Sequence, residues 1–250
     1  MRDTLLKRLL IRYVFPYQST QRILFGSCRG MKLRITPSSG HSPLLGYEGA
    51  SQDFLKKRLK KGMVVYDIGA HVGQYALFFS KQVGEEGRVV SFEPLPQNFE
   101  ELSFNIRLNA LKNVEARHCA VGDRDGQTSF EVHSHSTRMG RPSGVEPTYR
   151  DPLSTVITVP AARLDTLLRE LPPPDLLKID VEGAGAAVLK GAQALIAKHK
   201  PSLFMELHGP EEQAAVQVLA RSGYVFVDLK GQKVSDLVNE WHTPIFGTCS

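Results

Sequence analysis

Short apolar, β-branched runs alternate with longer stretches of helical spacing through most of the chain. The apolar runs cover residues 64–67, 88–92, 113–121, 176–179, 202–207 and 224–229, and most of them read as strands apolar on both sides. Such runs belong to strands covered on both faces, as in a parallel sheet. Residues 74–81, 94–108, 184–198 and 211–222 read as helices. In the second of these, Leu95, Phe99, Leu102 and Ile106 recur near helical spacing, and Pro94 sits at or just before the start, where its missing N–H matters least. Strands alternating with helices predict an α/β fold, a mostly parallel sheet with helices on both faces. Residues 128–132 and 155–159 add two extended pieces, and residues 164–171 a short helix stopped by Pro172, Pro173 and Pro174. The last segment, up to Phe246, reads as an antiparallel edge strand.

The remaining stretches carry little pattern. Residues 15–50 are rich in Gly, Pro and Ser, with a short strand expected at 31–35 and a helix at 52–59. Residues 133–154 are polar and weakly patterned, and a loop that long is usually functional or without fixed structure. With 250 residues, the chain fits one α/β domain (51–250) preceded by an extension (1–50).

The chemistry gathers at the ends of the strands. The stretch from Val64 runs into Asp67, then Gly69, Ala70, His71 and Gly73, and a helix follows. Glycines spaced this way suit a sharp strand-to-helix turn where backbone approaches a ligand. The helix N-terminus adds free N–H groups and a partial positive charge. A dinucleotide fingerprint would need a glycine where Asp67 stands. A carboxylate there repels a pyrophosphate and suits a sulfonium amino acid. The strand at 88–92 ends at Glu93, where an acid can accept hydrogen bonds from both ribose hydroxyls. Asp67 and Glu93 together point to a nucleoside cofactor other than a dinucleotide. Ala120, Asp180 and Glu206 to His208 are also placed at strand C-termini, where ligands of such sheets bind. Glu48, on the segment leading into the domain, is placed to fold over the cofactor.

Composition narrows the setting. Apolar residues make up 42% and charged residues 23%, enough for a sizeable core. The net charge is +5, with one basic cluster at residues 56–61 that reads as a solvated helix face, since no aromatic residues interleave it. No nucleic-acid partner is therefore expected. Cys28, Cys119 and Cys249 are widely spaced, which argues against a zinc site or disulfide framework and for a reducing, cytoplasmic location. Residues 1–14 put Leu5, Leu6, Leu9, Leu10 and Tyr13 on one helical face. Docking on the domain is the preferred reading, and contact with an anionic membrane surface the alternative.

These residues together resemble the FkbM family of methyltransferases. The matching pieces are Tyr66 to Gly73, Phe92-Glu93-Pro94 with Asn98 and Phe99, then Asn105 and Asn109. Ala120-Val121-Gly122-Asp123, Leu164-Asp165-Thr166-Leu167, Lys178 to Gly183 and Val188 to Gly191 continue the match in order. The resemblance implies a seven-stranded class I methyltransferase fold and S-adenosyl-L-methionine as cofactor. It implies O-methylation of a hydroxyl on a sugar, polysaccharide or secondary metabolite, with a small-molecule or glycan acceptor. Cofactor-binding residues are then expected at Glu48, Asp67, Gly69, Ala70, His71, Gly73, Glu93, Pro94, Asn98, Ala120, Val121 and Asp180. Asp180, Glu182 and His208 are the expected catalytic residues, with His133 to Ser154 helping to form the acceptor site. Oxygen-rich strand ends suit Mg²⁺, but no spacing demands a metal. One position departs from the family: Gly185 stands where a second acid commonly follows Glu-Gly. An RNA methyltransferase and a non-catalytic cofactor-binding scaffold stay open as alternatives.

Overall fold

The computed structural model describes residues 16–36, 49–133, 136–142, 155–234 and 244–249. Glu48, residues 1–14 and most of the polar stretch 133–154 lie outside them. Thirteen strands, β1 to β13, and seven helices, α1 to α7, are defined among the described residues. The central sheet has the order β12(Tyr224–Val227), β13(Pro244–Cys249), β11(Ser202–Glu206), β10(Leu176–Ile179), β3(Val64–Ile68), β4(Arg88–Phe92), β5(Val114–Arg117). All its pairings are parallel except those of β13, which is antiparallel to both neighbours. The C-terminal segment is therefore not the edge strand that its sequence suggested. It inserts between β11 and β12, and β12 forms the edge.

Burial explains the central strands. The side chains of Val65, Tyr66, Val89, Val90 and Leu177 are entirely buried. One face packs against Val188, Leu195 and Val216 of α5(Gly185–Lys190), α6(Gln193–His199) and α7(Pro210–Arg221). The other packs against Phe78 and Phe79 of α2(Gln74–Val83) and Phe54 of α1(Gly49–Lys56). Helices thus cover both faces, as the patterning predicted.

Three local departures have visible causes. The run 113–121 is two strands: β5 stops at Arg117, and β6(Ala120–Val121) joins a second, four-stranded sheet of order β6-β9-β7-β8. That sheet also contains β7(Gly126–His133), β8(Ser136–Pro142) and β9(Thr155–Ala162), so part of the expected loop 133–154 is a strand. The expected helix 184–198 is broken into α5 and α6 at Gly191. A Cβ on Gly191 would stand 1.9 Å from the Gly122 carbonyl oxygen. Asp165, in α4(Leu164–Leu167), accepts the Ala194 and Leu195 N–H groups and so caps α6 from outside. Helix α3(Pro96–Leu108) begins at Pro96 rather than Pro94.

The approach segment is more ordered than its composition suggests. β1(Thr20–Arg22) and β2(Lys32–Arg34) form an antiparallel hairpin docked on α3. Asn109 accepts the Lys32 N–H at 2.8 Å and donates to the Lys32 carbonyl at 2.7 Å, while Asn105 accepts the Arg34 N–H at 2.9 Å. Asn105 also donates to the Val72 carbonyl at 2.9 Å, linking hairpin, helix and glycine turn. No helix among the described residues is long and apolar enough to cross a membrane.

Candidate functional site

The turn from β3 to α2 is stitched to both neighbouring strands. The Gly69 and Ala70 N–H groups donate to the Phe92 carbonyl at 3.1 and 3.0 Å. On the other side the Asp180 N–H donates to the Ile68 carbonyl at 3.1 Å. Gly69 has φ +80°, and a Cβ there would lie 1.9 Å from the Asp180 carbonyl oxygen. Only glycine fits so close an approach. Gly73 has φ +94°, and a Cβ there would meet Leu102 at 2.8 Å. Gly73 therefore shapes the turn from behind.

A cleft of about 250 Å³ opens above this turn. Gly69, Ala70, His71, Glu93, Pro94, Asn98, Asp180 and Glu182 line it, so eight expected residues converge there. Gln74, Tyr75, Leu95, Phe130, Lys178 and Val181 complete the wall. Asp67 lies beneath it, fully buried. Ala120 and Val121 line a different cavity of about 500 Å³, with Gln127, Thr128, Ser129 and Glu211. They follow the chain into the second sheet, which the sequence run did not reveal. The two cavities meet at one turn: Val181 and Glu182 face the first, Gly183 and Ala184 the second.

Glu93 is the anchor of the cleft. One carboxylate oxygen accepts the His71 N–H at 2.8 Å, and the other accepts the Leu95 N–H at 2.9 Å and the Asn98 amide at 3.4 Å. Burial pushes its carboxyl up to about 7, although the Leu95, His71 and Asn98 donors act in the opposite direction. The His71 backbone is held at φ +52°, a left-handed conformation that costs a non-glycine residue roughly 1 kcal/mol or more. Its N–H is thereby aimed at Glu93.

Lys178 is the residue the sequence reading passed over. It lies within a four-residue apolar strand, with its side chain only 3% exposed. A lysine so placed needs an anion, and that need was the signal available in the sequence. Its Nζ lies 3.2 Å from Asp67, 3.6 Å from Asp180 and 3.0 Å from the Gly69 carbonyl. Burial raises the Asp67 carboxyl, and the Lys178 ammonium opposes that rise. Lys178 thus ties the glycine turn to the wall of the cleft.

The third group is Asp180 with His208. Their side chains meet at 3.3 Å, His208 8% and Asp180 32% exposed. Burial would raise the Asp180 carboxyl, but Lys178 and His208 overcome it and hold the group at about 2. Burial would lower the His208 imidazole, yet Asp180, Glu182 and Glu206 raise it to about 9. Behind it stands Glu212, whose carboxylate accepts the Gly185 N–H at 2.7 Å and the His208 N–H. A Cβ on Gly185 would lie 2.7 Å from that same carboxylate. A carboxylate supplied by α7 therefore fills the space beside Gly185.

Residues 67–226, well over half of the chain, match the methyltransferase FkbM domain. The chain belongs to the FkbM methyltransferase family. That family depends on S-adenosylmethionine. Methyltransferase sdnD of Sordaria araneosa is 30% identical over 156 residues, covering 51% of this chain and 59% of its own length. The hexuronic acid methyltransferase AglP of Haloferax volcanii is 28% identical over 130 residues, covering 51% of this chain and 49% of its own. The chain thus spans about half the length of the curated relatives it matches. The crystal structure of an FkbM methyltransferase from Methylobacillus flagellatus KT aligns with TM-score 0.50 at 18% identity, over 74% of this chain and 43% of that one. At that identity the likeness concerns the fold, and it agrees with the class I methyltransferase architecture that the sequence predicted.

Proposed function

We propose that this FkbM chain is an S-adenosylmethionine-dependent O-methyltransferase acting on a hydroxyl of a sugar, polysaccharide or secondary metabolite. The observation that carries the reading is Glu93, set on the same cleft as the glycine turn and the start of α2. Glu93 Oε1 already accepts two hydrogen bonds from this chain, whereas Oε2 accepts one and keeps acceptor capacity for a ribose hydroxyl. Glu93, Asp180 and Glu182 face the cleft against one lysine, a charge balance suited to a sulfonium and hostile to a pyrophosphate.

The cofactor would supply an already activated methyl group: a C–O bond forms as the C–S bond breaks, the sulfur leaves as a neutral thioether, and the hydroxyl proton passes to a cleft carboxylate, Asp180 or Glu182, and on to solvent. The residues of the chain then have to place the acceptor oxygen in line and keep water out. Asp180 and Glu182 line the cleft just before the turn at Gly183 and Ala184 that faces the second cavity, and their carboxylates can hold a hydroxyl by accepting its hydrogen bond. The hexuronic acid named for the Haloferax relative makes acidic sugars the first acceptors to try. Residues 143–154 lie outside the described residues, and their part in the acceptor site remains within this proposal.

Turnover of radiolabelled methyl donor with a panel of hexuronic and neutral sugars tests it. The expected product carries label stable to mild alkali, as a methyl ether does, and Asp180→Asn loses turnover by about a hundredfold or more. Alkali-labile label would identify a methyl ester and overturn the hydroxyl assignment. Label transferred to RNA instead would favour the nucleic-acid reading.

A further inference from the structure

We infer that Asp180, Glu206 and His208 form a binding site for a divalent transition-metal ion on the acceptor side of the cleft. The sheet itself brings them together. β10 and β11 are parallel neighbours in a register that pairs Ile179 with Met205. The next residues, Asp180 just past β10 and Glu206 at the end of β11, therefore stand side by side at the rim, and His208 follows in the loop after β11. One ligand atom from each lies within 4.8 Å of the others, and His208 Nε2 is 3.3 Å from Asp180 Oδ1.

These spacings are close to those of a coordination sphere. With bonds near 2.1 Å, adjacent octahedral ligands are about 3 Å apart and opposite ones about 4.2 Å. The 3.3 Å His208–Asp180 separation fits an adjacent pair, and a side-chain adjustment that draws the Glu206 carboxylate inward would close the three atoms around one ion. An ordinary acidic surface patch has no imidazole in it. Here the imidazole is 8% exposed and lies against a carboxylate from the adjacent strand end. The Glu212 carboxylate also holds its backbone N–H, which steadies the loop that carries the ring.

The donor set selects the ion. Two carboxylates suit hard ions, whereas an imidazole suits the first-row transition metals. Mn²⁺ satisfies both demands better than Mg²⁺ or Ca²⁺, which favour oxygen alone. Three protein ligands leave positions open for water or substrate. Because Asp180 also lines the cleft, an open position there can take an acceptor oxygen and make its proton easier to lose. This role rests on the methyltransferase reading, whereas the site itself does not. Taking up the ion requires His208 to release its ring proton to solvent.

The test titrates Mn²⁺ into the full chain at pH 8 and follows loss of the free-ion paramagnetic resonance signal. S-adenosylhomocysteine binding is measured by calorimetry on the same preparations. One Mn²⁺ per chain is expected, displaced by Mg²⁺ only at large excess. The isosteric Glu206→Gln and the near-isosteric His208→Asn should each weaken it at least tenfold. Both variants should keep the wild-type circular dichroism spectrum, and Glu206→Gln, which lies outside the lining of the cleft, should also keep the wild-type cofactor affinity. Wild-type protein that binds S-adenosylhomocysteine but no stoichiometric Mn²⁺ would overturn the site, as would binding unchanged in both variants. Mn²⁺ binding without S-adenosylhomocysteine binding would leave the metal site standing and remove the cofactor reading instead.

Discussion

Replacing Lys178 with methionine is expected to lower the stability of the fold by about 3–5 kcal/mol. The ammonium is 3% exposed and lies 3.2 Å from Asp67, whose carboxyl is fully buried. Neither Asp67 oxygen has a hydrogen-bond partner among the described residues, so the ion pair with Lys178 is what compensates that burial. Methionine fills the same volume and leaves the carboxyl uncompensated. Urea denaturation of the ligand-free protein should show a much lower midpoint with an unchanged slope. Adding Asp67→Asn should recover a substantial part of the loss, because the buried charge disappears with its partner. An unchanged midpoint in Lys178→Met would mean that Lys178 is not what stabilises this end of the sheet.

The second large effect is a pH dependence of cofactor affinity governed by Glu93. Its carboxyl is pushed up to about 7 by burial, so lowering the pH through that value protonates it in the free protein. A ribose diol donates hydrogen bonds, which favour the ionised form. Affinity should therefore be full above about pH 8 and fall as the pH drops. At pH 6, one unit below that value, the loss should be about tenfold. Glu93→Gln cannot ionise and should show a flat profile at reduced affinity. Its lost charged acceptor is worth roughly 1.5–3 kcal/mol of binding. A wild-type profile that is flat between pH 6 and 8 would place the ribose elsewhere.

The readability of the chain followed burial. Arg88–Phe92 and Leu176–Ile179 have the same limits in sequence and structure, because apolar runs covered on both faces leave little choice of boundary. The strand-end acids were legible for a related reason. Glu93 and Asp180 directly follow β4 and β10 and so stand at strand ends, whereas Asp67 lies within β3, fully buried against Lys178. What failed to show was set by distant parts of the chain. Nothing local to Pro244–Cys249 says that it inserts between β11 and β12 rather than beside them. The break at Gly191 depends on the carbonyl of Gly122, sixty-nine positions earlier (191 − 122), and the cap that Asp165 supplies is equally remote. Ala120 and Val121 looked like the end of a central strand because the kink after Arg117 carries no glycine or proline. Lys178 was visible as part of a motif, but its role requires Asp67 on the adjacent strand.

The central claim is that the cleft between β3, β4 and β10 takes an adenosyl sulfonium cofactor. Isothermal titration at pH 8 of S-adenosylhomocysteine, and separately of NAD, into the full chain tests it most directly. Saturable one-to-one binding of S-adenosylhomocysteine, greatly weakened in Glu93→Ala and absent for NAD, is the expected result. Saturable NAD binding with no heat from S-adenosylhomocysteine would contradict it.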